Sequence, residues 1–146
     1  MTAFYPGSFD PFTIGHLSIA RRALEIFPRL IIGIGVNKAK TGSESIDLRI
    51  RKIQKVFEKA PEVTVFAYEG LTAPIARENG AGVLVRGVRN SIDFEKEKEL
   101  ADINLKVFGM PTIFIPAEPE LSFVSSSMVR ELAHFGFDPS PFLPSR

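Results

Sequence analysis

The sequence predicts an α/β fold: a single domain built on a doubly wound, five-stranded parallel sheet with helices on both faces. Two observations predict it. Short apolar runs alternate with segments of helical periodicity along the whole chain, which is the pattern of β-α-β units. The 146 residues, 45% hydrophobic and 24% charged, suffice for one sizeable core. We expect one domain over residues 1–136, followed by a tail at residues 137–146 whose three prolines disfavour a helix.

The five apolar runs are the predicted strands. They are Thr2–Tyr5, Leu30–Val36, Val63–Ala67, Val83–Arg86 and Thr112–Ile115. The second run is rich in Ile and Gly, which is typical of a strand buried on both faces. Because crossovers between parallel strands are right-handed, few topologies remain open. Ligands in such sheets bind beyond the carboxyl ends of the strands.

Five segments of helical periodicity alternate with the strands. They are His16–Phe27, Asp47–Lys59, Pro74–Asn79, Asp93–Phe108 and Ser126–Phe135. In the second segment, Ile50, Ile53 and Phe57 form one apolar stripe, and the Arg and Lys side chains are expected on the opposite face. In the fourth segment, we expect four apolar side chains to face the core: Phe94, Ala101, Leu105 and Phe108. Ser125 or Ser126 can cap the last helix.

The composition excludes several classes of protein and site. A net charge of +1 gives no non-specific attraction to nucleic acid or to a membrane surface. The absence of cysteine excludes disulfides, thiol catalysis and Cys-ligated zinc, and the two histidines are too few for a His-rich metal site. No apolar run approaches the length of about 18 residues that predicts a membrane span. We therefore expect a cytoplasmic protein with no metal held by its own side chains.

The first predicted strand leads into the most informative motif of the chain. Residues 3–16 read Ala-Phe-Tyr-Pro-Gly-Ser-Phe-Asp-Pro-Phe-Thr-Ile-Gly-His, a strand followed by a turn rich in Gly and Pro and by the start of a helix. Backbone N–H groups of the turn and of the first helical turn would face one point, where the helix dipole favours a phosphate. His16 lies at the rim of this site and can donate to a phosphate oxygen. Asp10 precedes a proline and is interpreted as a turn former.

Four further clusters follow the other predicted strands. Lys40 comes after the second strand, Gly70–Thr72 after the third, Arg86–Arg89 after the fourth and Ser122–Ser127 after the fifth. Guanidinium groups bind phosphate in a bidentate way, and serines that enter a helix offer hydroxyl and N–H groups to a phosphate chain. Taken alone, each cluster could also be a solvated surface or a helix cap. Because the carboxyl ends of parallel strands share one sheet edge, all five motifs are predicted to meet there.

Three segments carry a resemblance to known enzymes. The opening motif resembles the G-[ST]-F-D-P-x-[ST]-x-G-H signature of nucleotidyltransferases. Val85–Glu95 resembles the R-G-[LV]-R-x-x-x-D-F-E block of bacterial phosphopantetheine adenylyltransferases, and Phe123–Ser127 resembles their F-[IV]-S-S-S segment. The resemblance runs from about Thr2 to Pro144. It implies a Rossmann-like nucleotidyltransferase fold and the reversible transfer of an adenylyl group from ATP to 4′-phosphopantetheine, giving dephospho-coenzyme A and pyrophosphate.

The resemblance also implies roles for individual residues. The catalytic set would be His16, as the stabiliser of the transition state, with Lys40 and Arg89. The residues that bind ATP would be Ser8, Phe9, His16, Gly87, Val88, Arg89, Glu97, Leu121, Ser122, Phe123, Val124, Ser125, Ser126 and Ser127. The residues that bind the acceptor would be Ser8, Lys40, Thr72 and Arg86. The family further implies Mg²⁺ with ATP, a homohexamer and feedback inhibition by coenzyme A.

Three positions depart from the pattern of the family. Thr72 occupies a position that is usually Leu or Met, Lys96 one that is often Tyr, and Leu121 one that is often aromatic. These departures concern the pantetheine arm, the adenine contacts and the subunit interface rather than the phosphates. The phosphate of the acceptor is already a nucleophile at neutral pH, so the reaction needs no general base. Catalysis is then positioning and charge stabilisation.

Three alternatives remain open at this point. A sister adenylyltransferase could act on nicotinate mononucleotide, but the block from Arg86 to Glu95 counts against it. A nucleotide-binding regulator could have lost turnover, but the intact His16, Lys40 and Arg89 argue against decay, as do Ser8 and Arg86. A doubly wound domain with no site would require five motifs to converge by chance.

Overall fold

A computed structural model describes residues 1–37 and 44–145. Its strands are β1 (Thr2–Gly7), β2 (Arg29–Gly35), β3 (Val63–Tyr68), β4 (Ala81–Val88) and β5 (Thr112–Pro116). Its α-helices are α1 (Ile14–Ile26), α2 (Ile46–Val56), α3 (Thr72–Glu78), α4 (Ser91–Phe108) and α5 (Ser126–His134). Short 3₁₀ turns lie at Pro119–Leu121 and Ser140–Phe142. The order of elements agrees with the sequence-based prediction.

The strands form one parallel sheet in the order β3-β2-β1-β4-β5, which confirms the predicted fold class. From β1 the chain moves outward through β2 and β3, then returns to the other side of β1 with β4 and β5. Strand order therefore reverses between β1 and β4. This is the position at which open α/β sheets bind ligands, beyond the carboxyl ends of their strands.

Alternate side chains of β1 pack on opposite faces of the sheet. Ala3 and Tyr5 belong to the larger core, which lies against α1 and α2. Phe4 is fully buried on the other face, in a smaller core that includes Leu84 and residues of α3. Gly33 on β2 makes room for the Phe4 ring, because a Cβ there would lie 2.3 Å from the ring. The central strand is thus fixed from both sides, and so is the turn that leaves its carboxyl end.

Helix α4 differs from its prediction. Of the four side chains expected to face the core, Phe94 is 43% and Leu105 is 56% exposed, and no residue of this fully described helix is buried. Leu100, Ile103 and Val107 are exposed as well. Helix α4 lies at the β4–β5 side of the sheet, and no further layer of residues 1–37 or 44–145 covers these apolar side chains.

Helix α2 differs from its prediction at one charged position, Arg49. Ile53 and Phe57 are buried as predicted, but Arg49 is buried too, although the pattern placed arginine on the exposed face. Its guanidinium forms an ion pair with Asp10, 3.6 Å from Nε to Oδ1, and binds two backbone carbonyls. The prediction was wrong because these partners lie outside the helix.

The tail follows α5 without a further α-helix among residues 137–145. Phe142, in the 3₁₀ turn, packs edge-on against Phe123, with 5.7 Å between the ring centroids. Across the part of the chain that the structure describes, no helix has both the length and the apolar character needed to cross a membrane.

Candidate active site

A cleft of about 420 Å³ opens at the carboxyl ends of β1 and β4. Its walls come from the turn after β1, the start of α1, the end of β4 and the start of α5, with two side chains from α4. It is lined by most of the predicted site residues: Ser8, Phe9, His16, Arg86, Gly87, Val88, Arg89, Glu97, Leu121, Val124, Ser125, Ser126 and Ser127. The structure therefore brings together residues from three of the five motifs.

Three predicted site residues that the structure describes are not part of that lining. A fourth predicted residue, Lys40, lies outside the described residues. Ser122 and Phe123 precede α5 and do not line the cleft; the Phe123 side chain is 59% exposed. Thr72 is the first residue of α3, and its hydroxyl lies 2.7 Å from the Tyr68 hydroxyl.

The turn after β1 folds back over the end of the strand. Phe9 has a φ of 47°, a left-handed conformation that is rare for a bulky residue. Its ring packs edge-on against Tyr5 and His16, at centroid distances of 5.2 and 5.0 Å. Gly7 permits this packing, because a Cβ there would lie 2.7 Å from the Phe9 ring. The Asp10–Pro11 peptide that follows is cis.

Three carbonyls of this turn accept hydrogen bonds from side chains of other helices. Arg49 of α2 donates to the Ser8 carbonyl at 3.1 Å, and Arg130 of α5 donates to the Asp10 carbonyl. Ser126, at the start of α5, donates to the Pro11 carbonyl at 2.7 Å. Sequence reasoning missed Arg49 and Arg130, whose partners lie 41 and 120 residues away. The Ser126 hydroxyl therefore holds the turn after β1, a role that its motif did not indicate.

His16 is fixed by the cap of α1. The helix begins two residues earlier than predicted because Thr13 caps it, with its side chain accepting from the His16 N–H at 3.3 Å. The Thr13 N–H in turn donates to His16 Nδ1 at 2.9 Å. A nitrogen that accepts carries no proton, so the neutral ring is assigned its proton on Nε2. Its ring also stacks on Phe12, 5.5 Å between centroids.

The surroundings of His16 favour the neutral ring. Burial, followed by the positive charges of Arg86 and Arg89, lowers the pKa of His16 to about 3. The residue is therefore a neutral Nε2–H donor at physiological pH when the cleft holds no anion. Gly87 allows α1 to approach β4 closely here, since a Cβ at Gly87 would lie 2.9 Å from Ile19.

Arg86 is paired across the cleft with Glu97 of α4. Its Nε and Nη2 donate to the two carboxylate oxygens at 2.7 and 2.6 Å, and Nη1 donates to the Pro6 carbonyl. Burial disfavours the charge, but the hydrogen bonds and charge of Glu97 outweigh it and raise the pKa of Arg86. A guanidinium has five N–H donors, so two of them have no partner among the described residues. The sequence had placed these two residues in different subsites and did not indicate that they pair.

Arg89 is paired in a similar way at the mouth of the cleft. Its Nε donates to Asp93 Oδ2 at 2.8 Å and its Nη2 to Oδ1 at 3.2 Å. Burial acts to raise the pKa of Asp93, but the hydrogen bonds from Arg89 outweigh it and the pKa is lowered. With Arg130, the described residues of the lining include three arginines and two carboxylates, which together carry a net positive charge.

The start of α5 completes the wall opposite α1. Ser125 caps this helix by accepting from the Met128 N–H at 3.1 Å, which confirms one of the two predicted caps. The first N–H groups of α5 have no partner within the helix and, with its dipole, favour an anion in the cleft. Within the described ranges, no group of three or more His, Cys, Asp or Glu side chains could hold a metal ion.

The sequence is similar to one family model and to several named enzymes. The cytidylyltransferase-like family model matches residues 4–132. Phosphopantetheine adenylyltransferase of Phocaeicola vulgatus is 48% identical over 142 residues, which cover 97% of this chain and 94% of that protein. The Porphyromonas gingivalis enzyme of the same name is 46% identical (97% and 93% covered), and that of Cytophaga hutchinsonii is 44% identical (97% and 95%).

Among solved structures, a bifunctional NMN adenylyltransferase/ADP ribose pyrophosphatase from Francisella tularensis superposes with a TM-score of 0.74. The match covers 99% of this chain and 45% of that one, at 17% sequence identity. At that identity the likeness concerns the fold alone, and it does not favour a mononucleotide as acceptor.

Proposed function

This chain belongs to the cytidylyltransferase-like family and, within it, to the phosphopantetheine adenylyltransferases, and from that premise we propose the reaction it performs. It is a nucleotidyltransferase that moves the adenylyl group of ATP to 4′-phosphopantetheine, in the biosynthesis of coenzyme A. The observation that carries the proposal is the meeting of His16, Arg86 and Arg89 in one positively charged cleft, in a chain 48% identical to an enzyme of that name.

The reaction is one in-line displacement at phosphorus. A phosphate oxygen of the acceptor attacks the α-phosphorus of ATP, the bond from that phosphorus to the oxygen bridging to the β-phosphate breaks, and pyrophosphate leaves. No proton must be removed from the acceptor phosphate, which is ionised at neutral pH. The protein therefore contributes positioning and charge stabilisation.

We place the triphosphate between the turn after β1 and the starts of α1 and α5, where backbone N–H groups and two helix dipoles converge. His16 donates from Nε2 to the α-phosphate as negative charge builds there. The lowered pKa, which keeps the ring neutral, and the hydrogen bond that Nδ1 accepts support this role. Arg89 contacts the phosphates from the cleft mouth. The remaining ATP contacts are those that the family implies and that line the cleft: Ser8, Phe9, Gly87, Val88, Glu97, Leu121 and Val124–Ser127. For Ser122 and Phe123, which do not line it, an ATP contact stays a proposal from their motif alone.

We place the acceptor phosphate at Arg86, together with Ser8 and Lys40. Glu97 holds the Arg86 guanidinium in place while leaving two of its N–H groups free for the phosphate. The methyl group of Thr72 flanks the pantetheine arm, in the position usually taken by Leu or Met. Lys40 lies outside the described residues and stays a proposal from its motif.

The proposed cofactor is Mg²⁺ bound to ATP. Both carboxylates that line the cleft are paired with arginine, so the residues present fit a metal carried by the phosphates rather than by the protein. When bound, the ion would neutralise charge on the phosphates. A homohexamer is supported by the uncovered apolar side chains of α4, which other copies would bury. Feedback inhibition by coenzyme A and a cytoplasmic location complete the proposal.

The experiment is pyrophosphate release from ATP with one acceptor at a time. We expect 4′-phosphopantetheine to support release and nicotinate mononucleotide to support none. A dependence on nicotinate mononucleotide alone would overturn the acceptor assignment while leaving the adenylyl transfer in place. If neither acceptor supports pyrophosphate release, the proposed reaction is wrong.

A further inference from the structure

Arg49 is a buried arginine that does not line the cleft. Its side chain, on α2, is 7% exposed. It donates to the Ser8 carbonyl at 3.1 Å and, from Nε and Nη2, to the Glu44 carbonyl at 3.0 and 2.7 Å. Asp10 balances its charge and accepts from the Glu44 N–H at 3.0 Å. These contacts join the turn after β1 to the segment that enters α2.

The Ser8 carbonyl shares a peptide with the Phe9 N–H. This peptide is trans, so its C=O and its N–H point in opposite directions. Ser8 and Phe9 line the cleft, whereas Arg49 does not. A carbonyl turned toward Arg49 therefore turns the Phe9 N–H away from Arg49, and we infer that it faces the cleft that Ser8 and Phe9 line. Within residues 1–37 and 44–145, that N–H has no hydrogen-bond acceptor.

The conformation of Phe9 needs support from outside the turn. Its positive φ is one that L residues avoid, and such a conformation persists where surrounding contacts hold it. Arg49 holds the Ser8 carbonyl, in the peptide that precedes Phe9, and Arg130 holds the Asp10 carbonyl, in the Asp10–Pro11 peptide. The two arginines thus hold the turn on both sides of the Phe9–Asp10 peptide.

We propose that Arg49 is a positioning residue for the nucleotide site: by holding the Ser8–Phe9 peptide it aims the Phe9 N–H at the phosphates, and Asp10 keeps its guanidinium in place. The inference rests on the proposed function, since it requires a nucleotide in the cleft. Arg49 acts only through the turn and contacts neither substrate.

The test removes the pair without leaving a buried charge. Arg49→Met alone would remove the guanidinium from beside the buried Asp10 carboxylate, so it is combined with Asp10→Asn, whose amide oxygen still accepts from the Glu44 N–H. Asp10→Asn alone keeps the bond from Arg49 to Ser8. Arg51→Met is the matched control, because Arg51 is exposed on the same helix. Arg49→Lys keeps the charge but replaces the guanidinium, which holds the two carbonyls from three different nitrogens, by a single ammonium nitrogen.

The readouts are the backbone amide resonance of Phe9 during titration with ATP, and kcat and KM for ATP and for phosphopantetheine. In wild type and in Arg51→Met, we expect the Phe9 amide to shift on ATP binding. In the double variant, we expect a much smaller shift and a kcat lower by about tenfold or more, because one preorganised donor is misdirected. KM for phosphopantetheine should change little. Arg49→Lys should fall between.

The outcomes separate the inference from the function on which it rests. A folded double variant with the wild-type Phe9 shift and kcat would overturn the positioning role. If the double variant does not fold, Arg49→Lys decides in its place: a wild-type shift and kcat in that variant would overturn the role. A wild-type protein that turns over ATP but shows no Phe9 shift would overturn the role and leave the function standing. A wild-type protein that binds no ATP would overturn both.

Discussion

The two sides of the cleft are held in different ways. On the β1 side, the carbonyls of Ser8, Asp10 and Pro11 accept from side chains that reach in from α2 and α5. On the β4 side, Arg86 and Arg89 are each paired with a carboxylate of α4. The first side is fixed through its backbone and the second through ion pairs of its side chains.

Because the two sides are held differently, we expect them to contribute to different steps of the reaction. On the β1 side, Phe9 and Asp10 are buried, the carbonyls of the turn are held by hydrogen bonds, and the His16 ring is held by the cap of α1. Its geometry is therefore set before a ligand arrives and is little affected by salt. The side chains of Arg86 and Arg89 are 30% and 36% exposed. Solvent therefore weakens their ion pairs with α4, salt screens them, and the side chains can adjust to a ligand. We expect the chemical step to depend on the β1 side and the binding of substrates to be shared with the β4 side.

The largest expected effect is that of His16→Ala. Loss of one preorganised donor at the α-phosphate should lower kcat by roughly a hundredfold or more, while ATP affinity falls far less. The measurement is steady-state turnover together with calorimetric titration of ATP. His134→Ala, at the exposed end of α5, is the matched control and should leave both unchanged. Near wild-type turnover in His16→Ala would contradict the expectation that the chemical step depends on the β1 side.

A smaller effect should separate the two arginines of the β4 side. Each makes charge-assisted hydrogen bonds worth about 1.5–3 kcal/mol, so alanine should weaken one ligand by about tenfold or more. Arg86→Ala should weaken phosphopantetheine, as should Lys40→Ala, whereas Arg89→Ala should weaken ATP. Calorimetry with both ligands checks this. Arg86→Ala is best made together with Glu97→Gln, so that the half-buried carboxylate is not left alone. Equal losses for both ligands in every variant would contradict the assignment.

The smallest effect concerns the acceptor arm. Thr72→Leu should restore apolar contact and tighten phosphopantetheine, by at most the 1–3 kcal/mol or so of one or two methylenes, with ATP affinity unchanged. The substitution also removes the partner of the Tyr68 hydroxyl, at 2.7 Å. Thr72→Val is therefore the control, since it loses the hydroxyl without adding length. Tightening by Val as much as by Leu would show that the hydroxyl, and not the missing length, sets the affinity.

The sequence was sufficient for the features that depend on local pattern. The alternation of apolar runs predicted five parallel strands, and the shared edge of such a sheet predicted that motifs far apart in the chain would meet. The sequence also predicted that the motifs of His16 and Arg86 meet at one edge of the sheet. The capping role of Ser125 also follows from its position before an apolar helix.

The sequence could not predict the features that depend on contacts between distant segments. Arg49 was expected on the exposed face because charged residues are seldom buried without a partner, and its partners lie outside its helix. The pairing of Arg86 with Glu97 joins a strand to a helix and has no spacing rule. Leu105 was expected in the core because an apolar stripe does not show which surface covers it.

The ring of His16 in the ligand-free protein tests most directly whether the β1 side is set before the nucleotide arrives. Nitrogen-15 chemical shifts of the ring, followed from neutral pH down to a pH of about 5, report its tautomer and its charge. With a pKa lowered to about 3 by burial and by Arg86 and Arg89, the ring should stay neutral throughout, with its proton on Nε2. Titration near the ordinary value of about 6.5, or a proton on Nδ1, would contradict this account.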